Sequence, residues 1–287
     1  MLEIKSTDVK EPGMKKIFVL LTALVISLSL IGCDKNSTQN NTNSKSQTIK
    51  TNSNSMNDKS STKDANNNTE ENNDFKSLDT DNNNTIQFKK DIYKLASDKS
   101  RSYTIVEKNL ALKDYKGELN VKYPVFEGKN ANIKQLNDAI FKIVNSNVLK
   151  EDEDTTIDTS INYTVQNASD SYVSILFTCF SNSATAAHPL KIWFTINYDL
   201  KENRILLLND VTEVNKGLLQ KSKGAMKNQL DKGTYEAILS TNYNIEELLH
   251  LLKSDSAEFY YKNDNLYIGF AVIGAGDYTY FASFKYM

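Results

Sequence analysis

Between residues 34 and 88 the chain consists almost entirely of Asn, Ser, Thr, Lys and Asp. As far as residue 86 its only sizeable apolar side chains are Ile49, Met56, Phe75, Leu78 and Ile86. So little apolar surface cannot offset the entropy of ordering the backbone, and the segment reads as a disordered linker. The folded part of this 287-residue chain is thereby confined to residues 89–287. About 200 residues suffice for one sizeable core. A flexible coil of about 50 residues holds its ends roughly 40 Å apart. Pulled straight, it reaches about 170 Å.

The residues before the linker explain what it is tied to. Lys15 and Lys16 precede an apolar run over 17–31, followed by Gly32 and Cys33. A basic start, a short apolar stretch and a small residue before the cut describe a signal peptide over residues 1–33. The run is shorter than the roughly 20 residues of a membrane-spanning helix, and Ser27 and Ser29 weaken it further. Met14 stands where such peptides begin and is an alternative start. The ending Leu30-Ile31-Gly32-Cys33 resembles the bacterial lipobox, which implies diacylglycerol on Cys33 as the mature N-terminus. Each buried acyl methylene contributes about 0.8 kcal/mol, so two or three chains hold firmly. The expectation is a protein anchored by lipid at the outer face of a cell membrane. The linker then carries the domain into or through a wall. No cofactor is expected beyond the covalent lipid.

Composition removes several classes. A net charge of −2 gives no support for nucleic-acid binding. Two cysteines cannot build a disulfide framework or a Cys₄ zinc site. The mean hydropathy of −0.50 averages an export signal, a polar linker and an ordinarily packed domain.

Within 89–287 strands dominate. Leu190, Ile192, Phe194, Ile196 and Tyr198 alternate without a break. Val173, Ile175, Phe177 and Cys179 share one face of the preceding run, and Ile161, Tyr163 and Val165 that of another. Further strands are expected over 103–108, 118–125, 205–208, 258–261, 266–272 and 278–286. Asn203 suits the turn after the alternating run, because Asn tolerates positive φ. Helices are expected over 132–148, 215–230 and 244–252. The first carries Ile133, Leu136, Ile140, Ile143, Val144 and Val148 on one stripe. This pattern predicts an α+β domain, an antiparallel sheet with a few helices packed on one face. It divides into halves at about 100–182 and 183–287.

Catalytic motifs are weak. Ser60-Ser61-Thr62-Lys63 fits S-x-x-K, but no S-D-N or K-T-G follows. Asp79-x-Asp81-x-Asn83 resembles the start of a calcium loop, yet its twelfth position is Lys90, where a bidentate Glu is needed. His188 and His250 fall in different elements with no zinc spacing between them. Ser181 or Ser183 beside His188 lacks a nucleophile elbow. Cys179 reads as a buried, inert thiol. No catalytic residue and no metal site are expected.

Two features point to binding instead. Glu151, Asp152, Glu153 and Asp154, with Asp158 beyond, follow a helix whose dipole they oppose, so stability does not account for them. They are candidates for docking a cationic partner such as lysozyme. Tyr278 and Tyr280 belong to a Tyr-rich C-terminus, and aromatic faces suit sugar stacking.

Short motifs recur in a recognisable order: Tyr123-Pro124-Val125-Phe126, Asn132-Ile133, Leu136-Asn137, Ala186-Ala187-His188-Pro189, Asn197-Tyr198-Asp199-Leu200 and Leu208-Asn209-Asp210-Val211. This order resembles the extracellular module of anti-sigma-V (RsiV-like) factors, also found ahead of the catalytic domain in PdaC-type peptidoglycan deacetylases. The resemblance covers about 103–286. It implies a sensing or binding module without the deacetylase's metal-binding domain or the anti-sigma factor's cytoplasmic part. Glu202-Asn203 replaces the family's turn glycine, and Gly274-Ala275-Gly276-Asp277-Tyr278 stands where a Pro-Tyr-rich loop is usual. Whether the family's ligand-binding loop is kept is left open. The leading expectation is a non-enzymatic binding module for peptidoglycan or a lysozyme-like wall hydrolase. An envelope enzyme or deacetylase accessory with an atypical site, and a structural or chaperone-like lipoprotein, are the alternatives.

Overall fold

The computed structural model describes residues 74–285 except 84, 90, 91, 151–154, 184, 242 and 273–277; of Tyr93, Ala96, Val272 and Tyr278 only the backbone is described. The signal peptide, Cys33, the linker up to residue 73 and the acidic run Glu151–Asp154 lie outside the described residues.

The larger sheet follows chain order: β1 (Tyr103–Leu110), β2 (Leu119–Gly128), β3 (Ile157–Ala168), β4 (Tyr172–Ser183), β5 (Leu190–Asp199) and β6 (Arg204–Ile205). Its pairs are antiparallel except β2 with β3. The expected antiparallel sheet thus contains one parallel pair. The reason is the helix of residues Asn132–Ser146 between β2 and β3, which returns the chain to the end where β2 began. A short helix α1 (Ile92–Ser97) precedes β1, so this longer helix is α2.

The period-two pattern did its work. Ile175, Phe177 and Cys179 of β4 and Phe194, Ile196 and Tyr198 of β5 are buried against Ile133, Leu136, Ile140 and Val144 of α2. At the end of β5 Asn203 has φ of 53°, as its turn requires.

Beyond Leu206 the chain builds a second core. Helices α3 (Leu208–Val211), α4 (Lys216–Gln229), α5 (Lys232–Ser240) and α6 (Ile245–Lys253) lead into an antiparallel sheet of β7 (Phe259–Lys262), β8 (Asn265–Val272) and β9 (Tyr278–Lys285). Buried Leu219, Met226, Ile238, Leu248 and Leu252 meet Phe259, Tyr261, Ile268, Phe270 and Phe284 there. The α+β class holds, but the helices are divided between two sheets rather than gathered on one face. The first core ends at Leu200, and the second takes Leu206 onward together with Tyr172 of β4 and Phe75, Ile86 and Ile92 before β1. No helix among the described residues is long and apolar enough to cross a membrane.

The second core also recruits residues expected to be linker. Phe75 and Ile86 are buried in it, the Phe75 ring stacked 6.3 Å from that of Phe270. The strap from Asp74 to Phe88 is bonded along its length. Phe75 N donates to Tyr243 O at 2.9 Å, Asp81 N to Gln220 O at 3.1 Å, and Thr212 Oγ1 to Gln87 O at 2.7 Å. Lys223 is almost fully buried and donates to the carbonyls of Lys76 and Leu78. Packing on this core thus begins at Asp74, inside the segment expected to be linker as far as residue 88. Average composition hid it, because two well-placed apolar side chains suffice to dock a polar strand.

Candidate functional site

Only part of the expected binding set can be placed. Glu151, Asp152, Glu153 and Asp154 lie outside the described residues, as does the side chain of Tyr278. Asp158 is exposed at the start of β3, and its Oδ1 accepts from Glu118 N at 2.9 Å, tying the start of β2. Tyr280 is half-buried and packs on the second core. Its register opposite Phe270 places it on the inner face with Ala282 and Phe284. Thr279 and Phe281 stand on the opposite face of β9.

The weak chemical motifs resolve into structure. His188 and His250 are both exposed, and no group of three or more His, Cys, Asp or Glu among the described residues is placed to hold a metal. Cys179 is buried, and burial pushes its thiol up. Buried Ser181 lies 3.3 Å from Thr159 Oγ1, and Ser183 hydrogen-bonds Thr185 at 3.0 Å. In the calcium-like stretch, Asp81 and Asn83 fold back on the backbone of Asn83 and Thr85 at 2.8 and 3.1 Å, and the Thr85 carbonyl takes the Lys221 ammonium.

The recurring motifs are largely scaffold. Beyond Val121, β2 has no strand on its β3 side among the described residues. The Asn137 amide takes that place, accepting from Phe126 N at 2.9 Å and donating to Phe126 O at 2.8 Å. Asp199 accepts from Lys201 N and Glu202 N at 2.8 and 2.9 Å, closing the turn. Asp210 accepts from Leu207 N at 2.9 Å and Arg204 at 2.7 Å, capping α3. Asn197 does most. It donates to Phe259 O and accepts from Tyr172 Oη at 2.7 Å and Ser174 Oγ at 2.8 Å.

That last network makes a corner. The free edge of β7 stands on the face of β4 and β5 turned away from α2. Phe259 N donates to Thr195 Oγ1 at 3.1 Å and Tyr261 N to Ser174 Oγ at 3.3 Å. Side chains thus satisfy backbone groups that a neighbouring strand would otherwise take. One wall of the corner is the outer face of β7–β9. There Tyr260 stacks on Tyr267 at 4.5 Å, and Phe281 meets Tyr260 edge-on at 5.0 Å. Phe281 leans across Gly269. A Cβ there would come within 3.0 Å of Phe281 Cε1 and 3.1 Å of Glu258 Cβ, so only glycine leaves the room. On the β5 side, Thr195 shares a face with Trp193, whose ring carries Lys191 Nζ at 5.2 Å from its centroid. On β4 the same face ends in Phe180, 45% exposed.

Glu258 sits where the walls meet. Its Oε2 accepts from Thr195 Oγ1 at 2.8 Å, and its own carbonyl accepts from Gly269 N at 2.7 Å. Loss of water around the carboxyl pushes its pKa up to about 8, against the lowering effect of Thr195. Burial, with Tyr267 beside it, pushes Tyr260 up to about 12. Aromatic faces, hydroxyls and a neutral acid together can stack a ring and hydrogen-bond its substituents. Neither Glu258 nor Tyr260 stood out in the sequence. The available signal was the isolated Gly269 inside a strand pattern, which marks close approach.

No family model and no curated protein matches the chain. Among solved structures it is similar to a member of the DUF3298 family from Bacteroides fragilis NCTC 9343, at 12% identity over 65% of this chain and 92% of that one, with a TM-score of 0.41. It is also similar to a DUF3298 family protein from Pseudomonas aeruginosa PAO1, at 10% identity over 66% of this chain and 84% of that one, with a TM-score of 0.33. Neither likeness assigns a ligand.

Proposed function

We propose that this protein is an extracytoplasmic binding module, tethered through lipid on Cys33, that recognises a cell-wall polymer and catalyses nothing. The observation that carries the reading is the corner formed where β7 stands on β4 and β5, with half-exposed Tyr260, Tyr267 and Phe281 on one wall. Aromatic surface left half-open to water is costly unless something covers it. The signal peptide and lipobox expected from the sequence support a position beside the wall, and the resemblance to the RsiV-like and PdaC-type modules supports the same compartment. The test is retention of the full chain on purified, insoluble peptidoglycan. The unaltered chain is expected to bind saturably. Tyr260→Ala with Tyr267→Ala is expected to lower retention at least tenfold while the far-ultraviolet spectrum is kept. Saturable capture by lysozyme with none by peptidoglycan would replace the polymer by a protein partner, and equal retention of variant and parent would remove this corner.

A further inference from the structure

Glu258 is a half-buried polar group of the corner, and Thr195 engages one oxygen of its carboxyl. Oε2 accepts the Thr195 hydroxyl, whose oxygen in turn accepts from Phe259 N. Oε1 makes no hydrogen bond among the described residues. It is not sealed either, because Ser222 Oγ is the only fully enclosed, unpartnered side-chain polar atom among them. The titratable or charged groups nearest along the surrounding rows are Tyr260 and Lys262 on β7, Tyr267 on β8 and Lys191 on β5. Phe281 Cε1, Thr279 Cγ2 and Glu258 Cβ crowd the space in front of Gly269. Nothing there stabilises a carboxylate except Thr195, so the acid keeps its proton through neutral pH. With Oε2 occupied as an acceptor, the proton of the neutral acid belongs on Oε1, which can then act as a hydrogen-bond donor.

We propose that Glu258 is a ligand-binding residue whose protonated Oε1 donates to a carbonyl acceptor on an uncharged sugar ring stacked against Tyr260 and Phe281. That is the chemistry of an N-acetylated glycan. A cationic amino sugar offers only donors at the equivalent position, and an acidic sugar brings a charge that this dry corner must desolvate. The inference rests on the wall-polymer reading and names the part of the polymer that is recognised. Glu258 is here a binding residue and carries out no bond-making step.

The probe is the tetramer of N-acetylglucosamine, titrated calorimetrically into the full chain at pH 6 and pH 9. Its de-N-acetylated counterpart is the matched cationic probe. The acetylated tetramer is expected to bind at pH 6 and about tenfold more weakly at pH 9, one unit above the titration of Glu258. Glu258→Gln keeps a donor and loses the titration, so its affinity is expected to be the same at both pH values. Glu258→Ala is expected to bind at least tenfold more weakly at pH 6, and should it fail to fold the Gln variant decides. The cationic probe is expected to bind more weakly than the acetylated one at pH 6. Affinity of the parent unchanged between pH 6 and pH 9 overturns the proposal. So does a Gln variant that weakens as the parent does, or a cationic probe that binds as well. If the tetramer fails while peptidoglycan is still retained through Tyr260 and Tyr267, the role of Glu258 falls and the wall-binding reading stands. Loss of both removes both.

Discussion

At the scale of single residues, polar side chains buried between layers hold this molecule together. Asn197 looked like one letter of a recurring Asn-Tyr-Asp-Leu motif; in three dimensions it joins β5, Tyr172 and Ser174 of β4, and Phe259 of β7. In the sequence such a residue is simply the polar member of an alternating strand, and the partners that bury it lie 23 to 62 positions away and leave no local trace. Glu258 is the same kind of residue with a titratable head, and it makes stability depend on pH. The folded state holds its proton up to about pH 8, whereas the unfolded chain releases it near 4.5. The stabilisation is therefore complete below about pH 4.5 and is lost progressively as pH rises towards 8. Two and a half units at pH 7 correspond to about 3 kcal/mol. Urea unfolding of the parent is expected to show that fall between pH 4.5 and pH 7, and Glu258→Gln to remove most of it. Parallel pH profiles in parent and variant would show that the carboxyl is already ionised in the fold.

Among the elements, legibility followed how unevenly apolar residues were distributed between faces. In β5, large apolar side chains occupy the even positions from Leu190 to Tyr198, and that face is the one packed on α2. In β9 aromatics stand at both parities, Tyr278 and Tyr280 on one and Phe281 on the other, so nothing local says which face looks outward. The strap shows a different blindness, since docking there is dictated by the partner. Helix α4 carries Gly224 beneath the strap, where a Cβ would lie 2.1 Å from the Asp81 carbonyl oxygen. In an isolated helix Gly→Ala stabilises by about 1 kcal/mol. Here the added methyl meets backbone and must lift the strap, so Gly224→Ala is expected to destabilise by about 2 kcal/mol or more. Limited proteolysis is expected to cut the variant between residues 79 and 88 first. A variant more stable than its parent and equally resistant there would show that the strap is not pressed on α4.

Across the whole molecule, the linker and the domain are less separate than composition implies. The strap arrives from the linker and enters the core that supports β7–β9, so the tether's attachment and the inner side of the candidate site share one packed cluster. Removing residues before Lys89 does more than shorten a leash. It exposes the places filled by Phe75 and Ile86 and leaves the Lys223 ammonium without the carbonyls of Lys76 and Leu78. Full burial of two such side chains is worth about 2 kcal/mol each, and a buried cation stripped of its acceptors adds more. Against a total stability of about 5–15 kcal/mol, that loss is a large fraction. A chain shortened to 89–287 is therefore expected to unfold at a markedly lower urea concentration than the full protein, or not to fold. One beginning at Asn67, which keeps the whole strap, is expected to keep the parent's midpoint. Both chains also separate stability from recognition, because Tyr260, Tyr267 and Glu258 are retained in each. If 89–287 matched the parent's midpoint, the strap would be an ornament on the surface, and the domain boundary read from composition alone would stand.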